Sequence, residues 1–584
     1  MQPKTLWQTV SYYSRHLLLV IFFLLPALTT HAEVRLVIEP DNSALRNNIE
    51  AWLGEVQQRN TREMRRYARY ARGQVVNALE ALGYYNYQLR LEVEEGEPAR
   101  LLINLQPGER IRLGEVRVEL TGEASTQQGF APPPQDALQS GQPLDHGVYE
   151  ATKRFFRNQA LRYGYFSARF EQQQLLIHPE QGTADIHLHF ESGPRYHFGE
   201  IRFDHEGLLR EEFLRSYVMF APGSPYSTDQ LTELSRDLRA SGYFNEVLVD
   251  ARQDEADENL QVPVNILLRV REPRSLAAGV GYSTDIGPRV SGSWTQYRIN
   301  RRGHSRGVDA EVSEPRQLAS VWYQWPLNPP MTDKLRLIGH TQQQQFDDQE
   351  SLRYGAGIYW HHRQDSGWDR VLSLRGERED FRIGQDKSAT WLTLPGVGFG
   401  KLQSDQRVDP GKGYRLQIDL TGSREDLLAD VDILQLTFFS RGLITLRQHH
   451  RLLARLQVGA LATNEFNRVP VSLRFFAGGD QSVRGYGYQE LSPTDASGQL
   501  TGGRYLLTGG VEYQYALTDR WRVATFVDAG DAVAVLDQLS EPKIGVGIGL
   551  RWVSPVGPLR LDLAQGLDDQ VGGWRLHFSM GPEL

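Results

Sequence analysis

From about Arg274 to the C-terminus, the chain alternates apolar and polar residues with a period of two. The pattern is clearest over residues 414–420, 511–517 and 574–580. Successive side chains of a β-strand point to opposite faces, so this period predicts strands with one apolar and one polar face. The stretch is long enough for about sixteen strands at about 19 residues each, an even number as closed membrane barrels require.

A soluble β-sandwich and a transmembrane barrel both fit such strands. The polar faces carry many charges, which suits a wet lumen, and the apolar faces suit lipid. So many strands would leave exposed edges in a sandwich, whereas a closed barrel has none. After residue 32 no apolar run approaches the length of a membrane helix. We therefore predict a transmembrane antiparallel β-barrel over residues 273–584.

The N-terminus has the pattern of a secretory signal peptide. Lys4 and Arg15 precede an apolar run over residues 17–25, and Thr30-His31-Ala32 provides small residues for cleavage before Glu33. The alternative, an uncleaved anchor, is disfavoured because the run is too short to span a membrane. We expect residues 1–32 to be removed.

Three repeats occupy the region between the signal peptide and the strands. Gly83-Tyr84-Tyr85, Gly164-Tyr165-Phe166 and Gly242-Tyr243-Phe244 each follow a helix-like segment and precede a strand. Arg110–Val118 resembles Arg195–Phe203, and these segments would open the second and third units. Each unit is predicted to run strand, helix, helix, strand, strand, with an exposed sheet edge that could accept an extra strand.

Two segments of the repeats allow further interpretations. The predicted second helix of the first unit is strongly basic, which fits either a solvated face or docking to an acidic partner or lipid headgroups; its arginines are Arg62, Arg65, Arg66, Arg69 and Arg72. Residues 131–135 are too rich in proline for a helix and predict an inserted loop.

A loop near the C-terminus, Arg474–Tyr488, contains a Gly-Gly turn and then Arg484 between Val483 and Gly485. Taken alone, it fits a surface loop with a solvated arginine. However, strand parity over residues 521–528 puts Phe526 and Asp528 on the face opposite the apolar residues, which is the lumen side. Asp528 is therefore a candidate anionic partner for Arg484.

We do not expect an enzyme, a cofactor or a metal site. The glycines of residues 396–400 and 545–549 recur with period two in strands, whereas a phosphate-binding turn needs a following helix. Neighbouring histidines at 361–362 and 449–450 would point to opposite faces of a strand and so cannot chelate one ion. The chain has no cysteine, which excludes thiolate chemistry, and its net charge of −8 argues against a nucleic-acid partner.

Together, the signal peptide, the three repeats, the barrel and Val483-Arg484-Gly485-Tyr486 resemble the BamA-type superfamily of outer-membrane insertases. The repeats resemble POTRA domains, and three of them point to the TamA branch. The most specific segments are Arg474–Tyr486, Phe526–Gly530 and Ser554–Asp562. The resemblance implies three periplasmic α+β domains before an outer-membrane barrel: signal peptide 1–32, POTRA 1 33–108, POTRA 2 109–193, POTRA 3 194–272 and barrel 273–584.

The resemblance also implies a loop-to-lumen latch and a lateral seam. The latch would pair Arg484 with Asp528 and include Gly485, Tyr486, Phe526 and Gly530. The seam would join a first strand near Leu276–Tyr282 to a last strand near Gly573–Met580, represented by Ala278, Gly281, Gly573 and Phe578. Many outer-membrane barrels end in an aromatic residue, whereas this chain continues past Phe578 to Leu584.

The implied function is assembly of client outer-membrane proteins such as autotransporters, which would pair with the seam and pass into lipid. A TamB-like periplasm-spanning protein would dock on POTRA 1. Two alternatives stay open: a passive secretion pore for one exoprotein, and the outer-membrane end of a lipid-transfer bridge. We expect Asp528→Arg alone to impair client assembly, and adding Arg484→Asp to restore part of it.

Overall fold

A computed structural model describes residues 34–54, 60–96, 98–127, 130, 138–346, 349–384, 386–406, 408–554, 557–568 and 571–581. The predicted signal peptide, the proline-rich segment 131–135 and residues 555–556 of the Ser554–Asp562 segment lie outside the described residues. Among the described residues, no helix combines the length and apolarity needed to cross a membrane.

The first unit has the predicted order of elements. Its sheet has the order β1-β3-β2, with β1 parallel to β3. Asn42 and Asn60 begin the two helices, since each side chain accepts a hydrogen bond from a backbone N–H of the first turn. The elements are β1 (Val34–Ile38), α1 (Ser43–Leu53), α2 (Thr61–Ala81), β2 (Gln88–Glu94) and β3 (Arg100–Gln106).

The second and third units repeat this sheet, with orders β4-β6-β5 and β7-β9-β8. Over its described residues the second unit has one α-helix and a 3-10 turn at Glu123–Thr126, while residues 131–137 between them lie outside the described residues. Its elements are β4 (Arg112–Thr121), α3 (His146–Tyr163), β5 (Arg169–His178) and β6 (Thr183–Glu191). The third unit contains β7 (His197–His205), α4 (Glu211–Arg215), α5 (Thr228–Ala240), β8 (Phe244–Ala251) and β9 (Gln261–Val270).

The repeated glycines that identified the units have one structural role. Gly83, Gly164 and Gly242 follow helices in the left-handed region, with φ of 82°, 80° and 79°. A side chain at the first two would also collide with later residues, because a Cβ would lie 2.6 Å from the Leu144 oxygen and 2.7 Å from the Tyr226 Cβ. Both the backbone conformation and the close packing therefore require glycine.

The remaining strands form one sheet of sixteen antiparallel strands, as predicted. Large apolar side chains point outward along them; Leu276 and Val280 of the first strand are 81% and 78% exposed. The strands are β10 (Arg274–Ser283), β11 (Gly287–Gln296), β12 (Ser305–Ser313), β13 (Arg316–Pro326), β14 (Asp333–Phe346), β15 (Gln349–Arg363), β16 (Asp369–Ile383), β17 (Asp386–Ser404), β18 (Lys412–Ser423), β19 (Ile433–Leu446), β20 (His450–Thr463), β21 (Tyr505–Ala516), β22 (Trp521–Val533), β23 (Lys543–Ser554), β24 (Gly557–Gly566) and β25 (Trp574–Met580).

Contacts of the β11–β12 turn show which end of the barrel meets the third repeat unit. The Arg301 oxygen in this turn accepts a hydrogen bond from the Arg210 N–H at 2.8 Å, and the Gly303 oxygen accepts one from the Tyr243 hydroxyl at 2.5 Å. This end of the barrel therefore meets α4 and the residue before β8. Since connections alternate between ends, the β10–β11 and β20–β21 connections lie at the opposite end.

Candidate functional site

The long connection between β20 and β21, residues 464–504, folds back against the inside of the barrel wall. Its apolar side chains are buried with those of four wall strands; the cluster includes Leu392, Leu394, Ile433, Leu461, Leu473, Phe475, Val483, Tyr486 and Leu491. Arg474 closes the base of the loop, because its guanidinium donates to the carbonyls of Asn467, Val469 and Thr501 at 2.9–3.1 Å. The loop is thus folded and lies inside the lumen.

Arg484 lies at the centre of this folded loop. Its Nε donates to Asp528 Oδ2 at 2.7 Å, and its Nη2 donates to Asp528 Oδ1 at 3.2 Å, so the pairing is bidentate. The Arg484 backbone N–H also donates to Asp528 Oδ2, at 3.2 Å. The guanidinium carbon lies 3.4 Å from the centre of the Phe526 ring, a cation–π contact. The sequence-predicted partners of Arg484 are therefore in direct contact with it.

Arg484 also contacts two carboxylates that the sequence reasoning did not select. Its Nη1 donates to Glu512 Oε2 at 2.7 Å and to Asp562 Oδ2 at 3.1 Å. Arg551 links the same two carboxylates, since its Nε donates to Glu512 Oε1 at 2.9 Å and its Nη1 to Asp562 Oδ1 at 2.6 Å. The arginine is thus held by three carboxylates on three strands.

Arg455 completes what we call the lumen cluster: Arg455, Arg484, Arg551, Glu512, Asp528 and Asp562. Arg455 Nη2 lies 2.7 Å from Asp528 Oδ2 and also contacts the Ser482 carbonyl of the loop. The cluster contains three arginines and three carboxylates, so its formal charges balance. Asp528 is fully buried and Arg484 is 5% exposed. Balance matters here because an unpaired buried charge would be costly.

This geometry changes the charge-exchange expectation. In the exchanged pair, Arg484→Asp would put a third carboxylate beside Glu512 and Asp562, and Asp528→Arg would put an arginine beside Arg455. Like charges would then meet on both sides of the loop. A simple exchange is therefore no longer expected to restore function, because Arg484 belongs to a network.

Glycines on β21 and β23 make room for the lumen cluster. A Cβ at Gly545 would lie 1.8 Å from the Arg484 oxygen, and a Cβ at Gly510 would lie 2.2 Å from Asp528 Oδ1. At Gly549 it would lie 1.9 Å from Asp562 Oδ1. Of the period-two glycines of residues 545–549, Gly545 therefore leaves space for the loop backbone and Gly549 leaves space for a charged side chain.

Three further residues of the predicted latch have distinct positions. Gly485 has φ of 95°, and a Cβ there would lie 2.4 Å from the Gly566 nitrogen, so only glycine fits. The buried Tyr486 donates its hydroxyl hydrogen to the Ile544 carbonyl at 3.0 Å. Gly530 packs against β21 rather than the loop, since a Cβ there would lie 2.2 Å from the Leu507 oxygen.

The sheet is nearly closed, and the seam lies between β10 and β25. Over their described residues these two strands stand at the ends of the strand order and form no ladder. Thr284, just beyond β10, donates its backbone N–H to the Phe578 oxygen at 3.0 Å and accepts from the Phe578 N–H at its hydroxyl at 3.1 Å. The Tyr282 and Phe578 rings lie 5.7 Å apart. By comparison, β24 and β25 pair continuously from Leu559 with Met580 to Gln565 with Trp574.

The four predicted seam positions differ in what they face. Ala278 is exposed and shares the lipid-facing parity of Leu276, whereas Gly281 has the opposite parity and faces the lumen. Phe578 lies on β25 at the seam contact. Gly573 lies just before β25, where its carbonyl accepts from the Gly566 N–H at 3.0 Å.

Strand parity could have revealed most of the residues that the sequence reasoning missed. The six strands β20–β25 each place one polar side chain beside the loop, namely Arg455, Glu512, Asp528, Arg551, Asp562 and His577. Each has inward parity on its strand. What parity could not provide was the register, which decides which of many inward polar residues stand at the same height.

Comparison with known proteins identifies this architecture. The model of the Omp85 superfamily domain matches residues 265–583, more than half of the chain. The chain belongs to the Omp85 superfamily. The model "POTRA domain TamA domain 1" matches residues 35–107, and "Surface antigen variable number repeat", a POTRA model, matches residues 196–272. The barrel is therefore an outer-membrane Omp85 barrel, with POTRA domains in the periplasm.

The Omp85 relatives include outer membrane protein assembly factor BamA from two bacteria. The protein of Nitratidesulfovibrio vulgaris is 24% identical over 449 residues, which cover 72% of this chain and 55% of the relative. That of Neisseria meningitidis serogroup B is 23% identical over 580 residues, covering 85% and 70%. The chain thus spans little more than half of the first relative.

A solved structure agrees with the Omp85 fold. The crystal structure of BamA from Haemophilus ducreyi lacking POTRA domains 1–3 superposes with a TM-score of 0.63 at 17% identity. The superposition covers 81% of this chain and 99% of the other. At this identity, the similarity concerns the fold alone.

Proposed function

We propose that this Omp85 protein assembles client outer-membrane β-proteins at the seam between β10 and β25, without covalent chemistry, a nucleotide or a cofactor. The observation that carries the proposal is the seam itself. Two strands with lipid-facing apolar residues meet through Thr284 and Phe578 and, as far as the structure describes them, form no ladder. Unpaired backbone groups are costly in lipid, so a client strand that pairs with β10 gains hydrogen bonds that it lacks elsewhere.

The lumen cluster supports this function by holding the wall beside the seam. It joins the loop to β20–β24, and His577 on β25 accepts a hydrogen bond from the Gly485 N–H at 3.0 Å. The last strand is therefore held from inside, while the hydrogen bonds of its outer edge to the first strand and its turn are, over the described residues, those between Phe578 and Thr284. In this role Arg484 is a structural latch, and the client's own strand pairing and apolar burial supply the free energy of insertion.

We further propose that the protein belongs to the TamA branch and that a TamB-like periplasm-spanning protein docks on the first POTRA domain. The match of residues 35–107 to the first POTRA domain of TamA supports this assignment. The folded loop inside the lumen argues against a permanently open secretion pore. Lipid transfer from the same partner is the main competing function.

Site-specific photo-cross-linking in cells tests the seam. A photoreactive phenylalanine at Ala278 faces lipid at the seam, and the matched control is Ala319, an exposed alanine on β13 with the parity of the exposed Val321. Position 281 is less suitable, because a Cβ at Gly281 would lie 2.7 Å from Arg289 Nε. We expect outer-membrane β-proteins to be captured from position 278 and not from 319. Capture of lipid alone at both positions would reject protein assembly.

A further inference from the structure

Asp480, at the turn of the loop, contacts both sides of the seam. Its Oδ1 accepts hydrogen bonds from Thr284 Oγ1 at 2.8 Å and from His577 Nδ1 at 2.7 Å. Its backbone N–H donates to Asp285 Oδ2 at 2.9 Å. Thr284 and Asp285 belong to the β10–β11 turn, and His577 belongs to β25. We call these four residues the clasp, because one loop residue fastens the first strand to the last.

Hydrogen bonding determines the protonation of His577. Its Nε2 accepts the Gly485 N–H at 3.0 Å, so that nitrogen carries no proton. The ring proton is therefore on Nδ1 and is donated to Asp480. A neutral His577 brings no positive charge to the clasp, and its Nδ1 has no lone pair available for a metal ion.

The clasp then contains two carboxyl groups without a cation of its own. Ligand atoms of Asp285, Asp480 and His577 lie within 4.8 Å of one another. Asp480 is 7% exposed, and its Oδ2 has no hydrogen-bond partner among the described residues. Asp285 is half-buried beside the buried Asp480. Two such adjacent carboxylates repel each other strongly, and a shared proton removes the repulsion and fills the open acceptor.

Other charged groups near the clasp do not replace that proton. Arg455 Nη1 donates at 3.4 Å to the Asp480 backbone carbonyl and forms its ion pair with Asp528. Arg575 on β25 pairs with Glu490 of the loop at 2.9 Å. The titratable and charged groups around Asp285 and the cavity beside it, from the loop, the last strand and the neighbouring strands and turns, are Asp480, Tyr488, Glu490, His577, Arg575, Glu314, Arg316, Glu350, Arg382, Asp531 and Lys543.

We propose that one proton shared between Asp285 and Asp480 holds the clasp closed, and that losing it releases β10 from the loop and widens the seam. The clasp residues are positioning residues for the proposed function, on which this inference rests. Burial raises the pKa of the Asp285 carboxyl to about 7, and the neighbouring Asp480 carboxylate adds to the increase.

The direction of the pH response follows from the two states. In an open clasp, Asp285 meets solvent and has an ordinary carboxyl pKa of about 4. The closed state binds the proton more tightly, so its advantage is complete below about pH 4 and is lost as the pH rises through about 7. Within that window, each pH unit lowers the closed-to-open ratio by up to about tenfold.

Distance measurements across the seam test the clasp. Because the chain has no cysteine, Ala278→Cys and Leu576→Cys introduce two unique nitroxide sites on exposed positions of β10 and β25. Pulsed electron paramagnetic resonance of the full mature protein in lipid nanodiscs, between pH 4.5 and 8, reports the distance distribution. We expect the short-distance population to dominate at low pH and to fall through about pH 7 in the otherwise unaltered protein.

Two variants isolate the shared proton. Asp285→Asn imitates the protonated acid, since its amide can still accept from the Asp480 N–H and donate to Asp480 Oδ2, so the closed population should persist up to pH 8. Asp480→Asn, on the loop side of the clasp, should likewise keep the closed population up to pH 8. Glu490→Gln is the matched control, because Glu490 also joins the loop to β25, and it should keep the pH response.

Three results would overturn the clasp: no change in distance between pH 5 and 8, an unchanged pH response in Asp285→Asn, or a response that follows Mg²⁺ and chelator rather than pH. Failure of the proposed assembly function can be told apart from failure of the clasp proposal. A pH-dependent seam without client capture at position 278 would reject assembly and leave the clasp standing, whereas client capture without a pH response rejects only the clasp.

Discussion

Replacing Gly545 with alanine adds one methyl group where the loop backbone now lies. The new Cβ would stand 1.8 Å from the Arg484 oxygen, whereas carbon–oxygen contacts need about 3.3 Å. The loop must therefore move about 1.5 Å from β23, since the wall strand is held by ladders on both sides. Such a movement stretches the contacts of Arg484 with Asp528 and Glu512, now 2.7 Å, beyond hydrogen-bonding range.

The cost follows from the burial of the lumen cluster. Separating one partner from a buried ion pair costs roughly 3–5 kcal/mol. Because about 1.4 kcal/mol corresponds to tenfold, opening of the loop should become roughly 10²- to 10⁴-fold more frequent. Hydrogen–deuterium exchange of peptides covering residues 480–490 measures this directly, since the Arg484 and Gly485 amides are protected by Asp528 and His577.

Gly400→Ala is the matched control. Gly400 is also a period-two glycine in a barrel strand, but the nearest atom to its Cβ position is the Leu416 oxygen, at 3.9 Å. We expect this variant to exchange like the original protein. If Gly545→Ala leaves exchange in residues 480–490 unchanged, or if Gly400→Ala accelerates it equally, then the seat on β23 does not hold the loop.

Two further predictions concern the lumen cluster and the periplasmic end of the barrel. Asp528→Arg should make the loop sensitive to protease. Adding Arg484→Asp should not restore protease resistance, because the new carboxylate faces Glu512. Restored resistance would show that Arg484 and Asp528 act as an isolated pair. Tyr243→Phe removes the hydrogen bond to the Gly303 carbonyl and should destabilise the β11–β12 turn by about 1 kcal/mol. The expected result is faster hydrogen–deuterium exchange over residues 297–304. Unchanged exchange would show that this hydrogen bond does not stabilise the turn.

Sequence periodicity predicted most of the architecture because each signal was local. Alternation of apolar and polar residues depends only on strand geometry, so it identified the barrel and put Asp528 on the lumen side. The repeated Gly-Tyr marks predicted the three units because a helix that ends in a left-handed residue favours glycine. The repeat pattern had a limit, since it did not predict the 3-10 turn at Glu123–Thr126 of the second unit.

The lumen cluster was only partly predictable for a different reason. Arg484 and Asp528 stood out through motifs, but Glu512, Asp562 and Arg551 each resemble any other inward polar residue of a barrel. Their meeting depends on the register of strands β21–β24, which hydrogen bonds between distant segments decide. The role of Gly545 was equally unpredictable, because the need for glycine at this strand position comes from the loop backbone that packs against it in the folded protein.

By itself, the sequence determined the order of the units, the kind of barrel and which side chains point inward, because these properties repeat every two or every few residues along the chain. Only the tertiary structure decided that one loop arginine is held by three carboxylates, that glycines seat the loop, and that Asp480 joins the first strand to the last. Those contacts link residues as far apart as 285 and 577, and a local pattern carries no information about which distant groups share a buried space.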